Sequence, residues 1–415
     1  MTGRPTVASL DERLADAGLP ALPRSAWLEL DLDALRDNLA TLRRRAGPDV
    51  PVHPVVKADA YGHGAVPVAL ALEAAGADGF CVATVDEALE LRAGGVERPV
   101  LVLYPIPDAW LSPARDAEID LSVGDPVLLE RLLAAHGALP PGPPLRLQLE
   151  VETGLGRGGI AVEAVGAVGT RLAAAPDVVV RGLWTHFQNV EDAPLTREQL
   201  ARFDAAAAAL RAAGLELPRR YAASSAGLLS DGVHAYEGIR PGLAIYGLLP
   251  DELAGDAGAA SAAVDLRPVL ALHARPVRVA DLPAGWGISY GPTFTTSRAS
   301  RIATLPLGYG DGWSRRLSNN ASALVRGVRC PIIGNVAMDA IMVDVTDAPG
   351  SPVTVDDRFT LIGAQDDARI TVHDVAQACT TIAWEVVTSM ARRLPRVYHS
   401  AAGPVSVRFL AQRRP

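Results

Sequence analysis

From residue 52 to about 247, short β-branched runs alternate with longer Ala/Leu-rich stretches whose apolar positions recur at helical spacing. The strand candidates are Val52–Lys57, Gly79–Ala83, Pro99–Tyr104, Ile119–Val123, Leu145–Val151, Val178–His186, Arg219–Ser224 and Gly238–Tyr246. Between most of them lie amphipathic segments such as AVPVALALEAAGA, DPVLLERLLAAHGA and LTREQLARFDAAAAALRAAG. The stretch after Tyr104 is the least helix-like. About eight βα units in roughly 200 residues is the count of a closed (β/α)8 TIM barrel. An open, doubly wound sheet would give the same alternation, because pattern alone does not prove closure.

After about residue 262 the pattern changes. Short β runs (VLALHARPVRVADL, RIATLPLGYG, SALVRGVRCPIIG, AIMVDVT, RFTLIGA) follow one another without long helices between them. Near the end, TVHDVAQACTTIAWEVVTSMARRL reads as helix and PVSVRFL as a last strand. The expected organisation is a loosely ordered extension over residues 1–26, a barrel over 27–262 and a mostly β domain over 263–415. The Ala/Gly-rich DELAGDAGAASAAVD is the expected linker.

Composition narrows the classes. The 415 residues are 49% hydrophobic and 21% charged, in the ordinary range of globular proteins. A net charge of −8 argues against nucleic acid as a partner, since a binder needs a basic face. No run reaches the roughly 18 apolar residues of a membrane span, and the acidic, interrupted start is a poor signal peptide. Cys81, Cys330 and Cys379 are far apart, form no CxxC pair and imply neither a disulfide framework nor a metal site. A cytoplasmic protein without a metal is the expectation.

Of the 39 Lys plus Arg residues, 38 are arginine and one is Lys57. Where arginine supplies every other positive charge, a retained lysine marks chemistry arginine cannot do. A desolvated ε-amine is a nucleophile that can form an imine, whereas a guanidinium stays protonated. Lys57 also ends the first expected strand, on the face where barrel enzymes carry their chemistry. Such a lysine holds pyridoxal phosphate or attacks a carbonyl substrate. Tyr61, four residues on, would fall on the same side through a helical turn and could bind a phosphate.

VVKADAYGHG resembles the cofactor-lysine motif of the alanine racemases, fold-type III pyridoxal-phosphate enzymes. The resemblance continues through ETGLGRGG, THFQNVED, SSAG, IRPGLAIYG, GISYG, LPLGYGDGW, GNVAMDA and RRLPRVY, from about Trp27 to Tyr398. It implies a barrel followed by a β domain, with a short piece of the N-terminal segment packed on the latter. It also implies pyridoxal 5'-phosphate, a homodimer with shared active sites, and interconversion of L- and D-alanine for the cell wall.

The same resemblance assigns roles. GLGRGG also fits a dinucleotide fingerprint, but the next strand lacks the acidic residue a ribose needs; by resemblance it is a turn presenting Arg157 to the cofactor and the substrate carboxylate. Arg240 faces the pyridine nitrogen, where a fixed positive charge disfavours protonation of the ring. Lys57 and Tyr290 are the acid/base groups on the two faces of the substrate carbon, and Tyr290 comes from the partner subunit. His186 links that tyrosine to Arg240. Tyr61, Ser225, Tyr398 and the N–H groups of Gly242 and Leu243 hold the phosphate, and SSAG opens a helix suited to an anion. Met338 of the partner subunit, supported by Asp339, offers its N–H to the substrate carboxylate, while Tyr309 and Tyr398 narrow the entrance to a small side chain.

The chain departs from the family at three places. Glu150 stands where many members carry a carbamylated lysine that orients the motif arginine, so its carboxylate is expected to serve Arg157 directly. Ala337 and Ala340 stand where Cys and Gln are common, near the substrate end, which leaves serine or another small amino acid as an alternative substrate. A pyridoxal-phosphate carrier would keep Lys57 without needing Tyr290 or a second domain, and a related decarboxylase would place a carboxylate where Arg240 stands.

Overall fold

The computed structural model describes residues 9–216, 219–230, 235–254 and 265–411, which form two compact units. One is residues 35–267; the other joins the N-terminal segment through residue 34 to residues 268 onward.

The first unit is a closed parallel barrel. Strands Phe80–Val82, Val100–Val102, Asp120–Val123, Leu145–Glu152, Val178–Trp184 and Arg220–Tyr221 pair in parallel in that order. The ring closes through the two remaining positions. Arg240 N–H donates to Ala223 O (2.9 Å), His53 N–H to Ile239 O (2.9 Å), Val55 N–H to Pro241 O (2.9 Å) and Cys81 N–H to Pro54 O (3.0 Å). The expected strands Val52–Lys57 and Gly238–Tyr246 survive only as single bridges, Val52 with Ile239 and Val55 with Cys81. Pro51, Pro54 and Pro241 lack N–H donors, so no continuous ladder forms there. Helices Ala65–Ala74, Val85–Ala93, Pro126–Gly137, Val162–Ala173 and Ala193–Ala212 pack outside, as the amphipathic windows predict. Closure removes the open-sheet alternative.

In the second unit, ten strands run in the order Arg278–Leu282, Ser300–Leu305, Ile341–Asp344, Val328–Ile333, Ala321–Val325, Phe359–Gln365, Leu270–Ala274, Ala26–Asp31, Arg396–Ser400, Gly403–Arg408. Ala368–Ile370 pairs off Phe359–Gln365 as the eleventh. The expected boundaries at 26/27 and 262/263 therefore move to 34/35 and 267/268. The cause is Ala26–Asp31, which pairs antiparallel with Leu270–Ala274 and parallel with Arg396–Ser400.

The expected loose extension is also corrected over its described part. Leu10–Asp16 is a helix closed by a capping box: Glu12 N–H donates to Ser9 Oγ (3.2 Å) and Ser9 N–H to Glu12 Oε2 (2.6 Å). Leu10 and Leu14 bury against Trp27, Val397 and Val407, each contributing about 1.5–3 kcal/mol. The long helix expected near the end is two short ones, Val372–Cys379 and Ala383–Thr388, separated where Thr380 turns left-handed (φ 54°). Most of the expected linker, residues 255–264, lies outside the described residues.

Candidate active site

The C-terminal ends of the barrel strands gather the barrel's share of the expected site: Lys57, Tyr61, Glu150, Arg157, His186, Ser225, Arg240, Gly242 and Leu243. A cavity of about 200 Å³ opens between Lys57, Tyr104, Ser122, Glu150 and Arg157.

Lys57 begins a short turn, Lys57–Tyr61, that is not the right-handed helix its sequence suggests. Ala58, Asp59, Ala60 and Tyr61 all have positive φ (53°, 56°, 54° and 50°), and Gly62 continues at 79°. Four non-glycine residues in this region cost about 1–2 kcal/mol each, so neighbouring contacts must hold them. Ala60 N–H donates to Val56 O (2.9 Å), Gly62 N–H to Ala58 O (3.0 Å), and Asp59 Oδ1 accepts from Ala65 at the start of the next helix (2.9 Å). Burial and the nearby Arg157 guanidinium lower the proton affinity of Lys57, while Glu87 opposes them.

Tyr61 is buried, with its ring 5.1 Å from that of Tyr246. Burial raises its pKa above the ordinary phenol value, so it stays a donor. Its hydroxyl lies so close to Gly242 that a Cβ there would meet Oη at 2.7 Å. Ser225 Oγ accepts from the N–H of Gly242 (2.9 Å) and Ala244 (3.1 Å). Leu243 opens the 3-10 turn Leu243–Tyr246. A phenol, a hydroxyl and a turn start thus converge within the barrel unit.

Arg240 is buried. Its Nη2 donates to Thr185 O (2.7 Å), its guanidinium lies 4.8 Å from the Trp184 ring centre, and its Nη1 has no hydrogen-bond partner. Burial, followed by the Arg240, Arg157 and Lys57 charges, pushes the His186 imidazole down to about 3, so it is neutral at physiological pH.

Arg157 projects into solvent from the turn after Leu145–Glu152. Glu152 shapes that turn by accepting from Gly154 N–H (2.5 Å) and Gly156 N–H (2.9 Å). Arg157 Nη2 stands 3.6 Å from Glu150 Oε1, an ion pair rather than a hydrogen bond. Burial raises the pKa of Glu150 despite the opposing arginine.

Tyr290, Tyr309, Met338, Asp339 and Tyr398 belong to the other unit. There Asn335 joins two segments: its Nδ2 donates to the carbonyls of Tyr290 (2.8 Å) and Gly291 (3.0 Å), and its carbonyl accepts from Ser289 Oγ (2.6 Å). Tyr309 N–H donates to Ala337 O (3.0 Å) and Gly310 N–H to Met338 O (2.9 Å). These bonds set Tyr290, Met338 and Tyr309 on neighbouring loops, and their side chains stand 78%, 53% and 43% exposed. Asp339 accepts from Arg393 Nη2 (2.6 Å), whose Nε donates to the buried Asp311 (2.7 Å). Tyr398 is fully buried within the strand Arg396–Ser400. Asn335, Glu152 and Glu87 were missed in the sequence; only Glu87, three residues after Thr84, carries a local signal, that of a capping box.

The three cysteines are free and buried. Among the described residues there is no cluster of His, Cys, Asp or Glu that could hold a metal, and no helix long and apolar enough to cross a membrane.

Comparison with known proteins adds the lineage. Residues 30–250 match the family model of the alanine racemase N-terminal domain, and residues 269–398 that of the C-terminal domain. Alanine racemase of Symbiobacterium thermophilum is 42% identical over 90% of this chain and 97% of its own length. That of Salinispora tropica is 40% identical over 90% and 98%. Among solved structures, the alanine racemase of Bacillus anthracis with bound L-Ala-P aligns with a TM-score of 0.85 at 31% identity, covering 94% of this chain and 98% of that one. The Streptomyces coelicolor enzyme aligns at 0.81 and 37% identity, covering 92% and 99%.

Proposed function

This chain belongs to the alanine racemase family and interconverts L- and D-alanine, and we propose that it does so with pyridoxal 5'-phosphate and two bases, Lys57 and the partner subunit's Tyr290, in a homodimer. The observation that carries this reading is that the only lysine of the chain sits at the barrel mouth, part-buried, in one cavity with Arg157 and Glu150.

The residues fit the cofactor. Arg240 Nη1 is a buried donor without a partner, as a pyridine nitrogen requires. The close approach of Tyr61 Oη to Gly242, beside Ser225, makes a cradle that a side chain at 242 would fill. Lys57 would hold the aldehyde, Arg240 the ring nitrogen, and Tyr61, Ser225, Tyr398 and the N–H groups of Gly242 and Leu243 the phosphate. When bound, the cofactor supplies an electron sink that acidifies the Cα–H of an attached amino acid.

The chain's own groups then govern the proton. Lys57 Nζ takes it from Cα on one face or returns it there, and the partner subunit's Tyr290 Oη does the same on the other; transfer between faces is inversion. The lowered proton affinity of Lys57 suits an amine that must release its proton near neutrality. Neutral His186 can accept a hydrogen bond without adding charge beside Arg240. Arg157 can grip the substrate carboxylate with two parallel donors, and the N–H of the partner subunit's Met338 would donate to the same group. Tyr309 and Tyr398 restrict the side chain to about a methyl group. Tyr290, at 78% exposure, is open to a partner subunit, which supports a dimer. A cytoplasmic location accords with D-alanine supply for the cell wall.

The test is incubation with pyridoxal phosphate and L-alanine in D2O, followed by chiral analysis and measurement of α-deuterium. D-alanine carrying deuterium is expected. Exchange without inversion would remove Tyr290 as the second base, and absence of both would move the assignment to another small amino acid.

A further inference from the structure

Glu87 has a connection beyond its place in a helix. It is the third residue of Val85–Ala93, and its Oε2 accepts from the N–H groups of Ala83 (2.8 Å) and Thr84 (3.2 Å), as a helix-start glutamate does. Its Oε1 reaches out of that helix to a different strand–helix connection and accepts from Ala58 N–H (2.6 Å). Ala58 follows Lys57 directly and is the first of the four left-handed residues. The backbone bonds of Ala60 and Gly62 are local to the turn, whereas the Ala58 N–H is held by Glu87 from another element.

We propose that Glu87 is a positioning residue for Lys57, one carboxylate oxygen capping its own helix while the other clamps the start of the left-handed turn that presents the amine. This rests on the reading of Lys57 as cofactor anchor and base. A clamp at the adjacent peptide fixes the direction of the Cα–Cβ bond of Lys57, which a flexible four-carbon stem needs if its nitrogen is to serve one face of the substrate. The carboxylate also acts on charge. Arg157 lowers the proton affinity of the amine and Glu87 and Cys81 raise it; His186 also faces it but is neutral at physiological pH, and Glu150 shares the cavity as the partner of Arg157. The Cys81 thiol is itself pushed up to about 12 by burial and is uncharged at neutral pH. Glu87 is therefore the negative charge that balances burial and Arg157.

A chain with one lysine makes this measurable without the cofactor or turnover. Reductive methylation with 13C-formaldehyde labels Lys57 as a single dimethyl-lysine, and its NMR shift gives the midpoint of its titration in the full chain; the terminal α-amine is assigned separately. Glu87→Gln is expected to lower that midpoint by about 0.5–1 pH unit and to weaken pyridoxal-phosphate binding by about tenfold. Asp86→Asn, which removes an exposed charge from the same helix turn, is expected to change neither. If Glu87→Gln leaves the midpoint and the cofactor affinity at their wild-type values, the proposal is overturned, whatever happens to thermal stability.

Should Glu87→Gln fail to fold, Glu87→Asp carries the test. It keeps the charge but draws it back by one methylene, so a smaller shift in the same direction is expected and an unchanged midpoint overturns the role. Failure of the racemase reading shows separately, as absence of D-alanine from wild-type protein, and leaves the Lys57 titration free to decide on Glu87.

Discussion

Glu150 Oε1 and Arg157 Nη2 face each other at 3.6 Å across the turn that ends the fifth strand of the barrel, the carboxylate mostly buried and the guanidinium exposed. This is where the family resemblance implies a carbamylated lysine, and the chain places a shorter carboxylate there. Removing its charge frees the arginine side chain and forfeits up to about 2 kcal/mol of rotamer ordering.

Glu150→Gln is accordingly expected to raise KM for alanine about tenfold and to change kcat by less than about threefold. Burial raises the pKa of Glu150, so wild-type KM should begin to climb on acidification above the usual carboxylate range, and the Gln variant should not show that climb. Steady-state kinetics from pH 8 to 5 decide it; parallel profiles in the two proteins would reject the pairing.

Three histidines make stability depend on pH. Burial, as the largest cause in each case, pushes His53 and His186 down to about 3 and His273 to about 4. The unfolded chain protonates these groups near the ordinary value of about 6.5. Their folded pKa values are depressed, so the native state binds fewer protons between about 6.5 and 3–4, and its stability falls as pH drops through that window. Each histidine contributes a slope of up to about 1.4 kcal/mol per pH unit. His53→Asn should make the urea-unfolding free energy less steep between pH 6 and 4.5; an unchanged slope would mean His53 is protonated in the folded protein.

Much of the barrel was legible because it depends on local pattern. Six of the eight expected strands appear within a few residues of their expected limits, and Ala65–Ala74, Pro126–Gly137 and Ala193–Ala212 follow the 3.6-residue period. What escaped the sequence depends on partners distant in the chain. KADAY has the composition of a right-handed turn, and only contacts such as Glu87 with Ala58 impose the left-handed one. The helix Leu10–Asp16 looked like loose chain because its hydrophobic partners, Val397 and Val407, lie nearly 400 residues away. The lone Lys57 was legible for a different reason, since its identity stands out against 38 arginines. Asn335 has no such contrast, and its hydrogen bonds with Ser289, Tyr290, Gly291 and Thr293 could not be foreseen.

Asp311 is fully buried and accepts from Arg24 Nη1 (2.6 Å), Arg393 Nε (2.7 Å) and Gly308 N–H (3.0 Å). It therefore ties the N-terminal segment, the Tyr309 loop and, through Arg393 and Asp339, the Met338 loop. Asp311→Ala strands two guanidiniums, but both are partly exposed, so the cost should lie below the 3–5 kcal/mol of a fully buried broken pair, at about 2–3 kcal/mol. Thermal melting measures the loss, and limited proteolysis should find the 306–312 loop newly accessible. A melting temperature within a degree of wild type would show that the cluster is not structural.

Gly242 and Tyr61 make the most specific prediction about the cofactor cradle. A Cβ at residue 242 would stand 2.7 Å from Tyr61 Oη, and the nearest ring carbons lie at 3.3–3.4 Å. Tyr61 cannot retreat easily, because it packs on Tyr246, which is pinned by its hydroxyl to Val55 O at 2.9 Å. Gly242→Ala should therefore cost about 1–3 kcal/mol as overpacking and weaken pyridoxal-phosphate binding by at least tenfold, through displacement of the phenol. Tyr61→Phe removes the atom in closest conflict. Combined with Gly242→Ala it should recover most of the stability but none of the affinity, a coupling that a double-mutant cycle reads directly. Additive stability losses would show that residue 242 requires glycine for a reason other than Tyr61. Recovered affinity in the double variant would show that the phenol does not hold the cofactor.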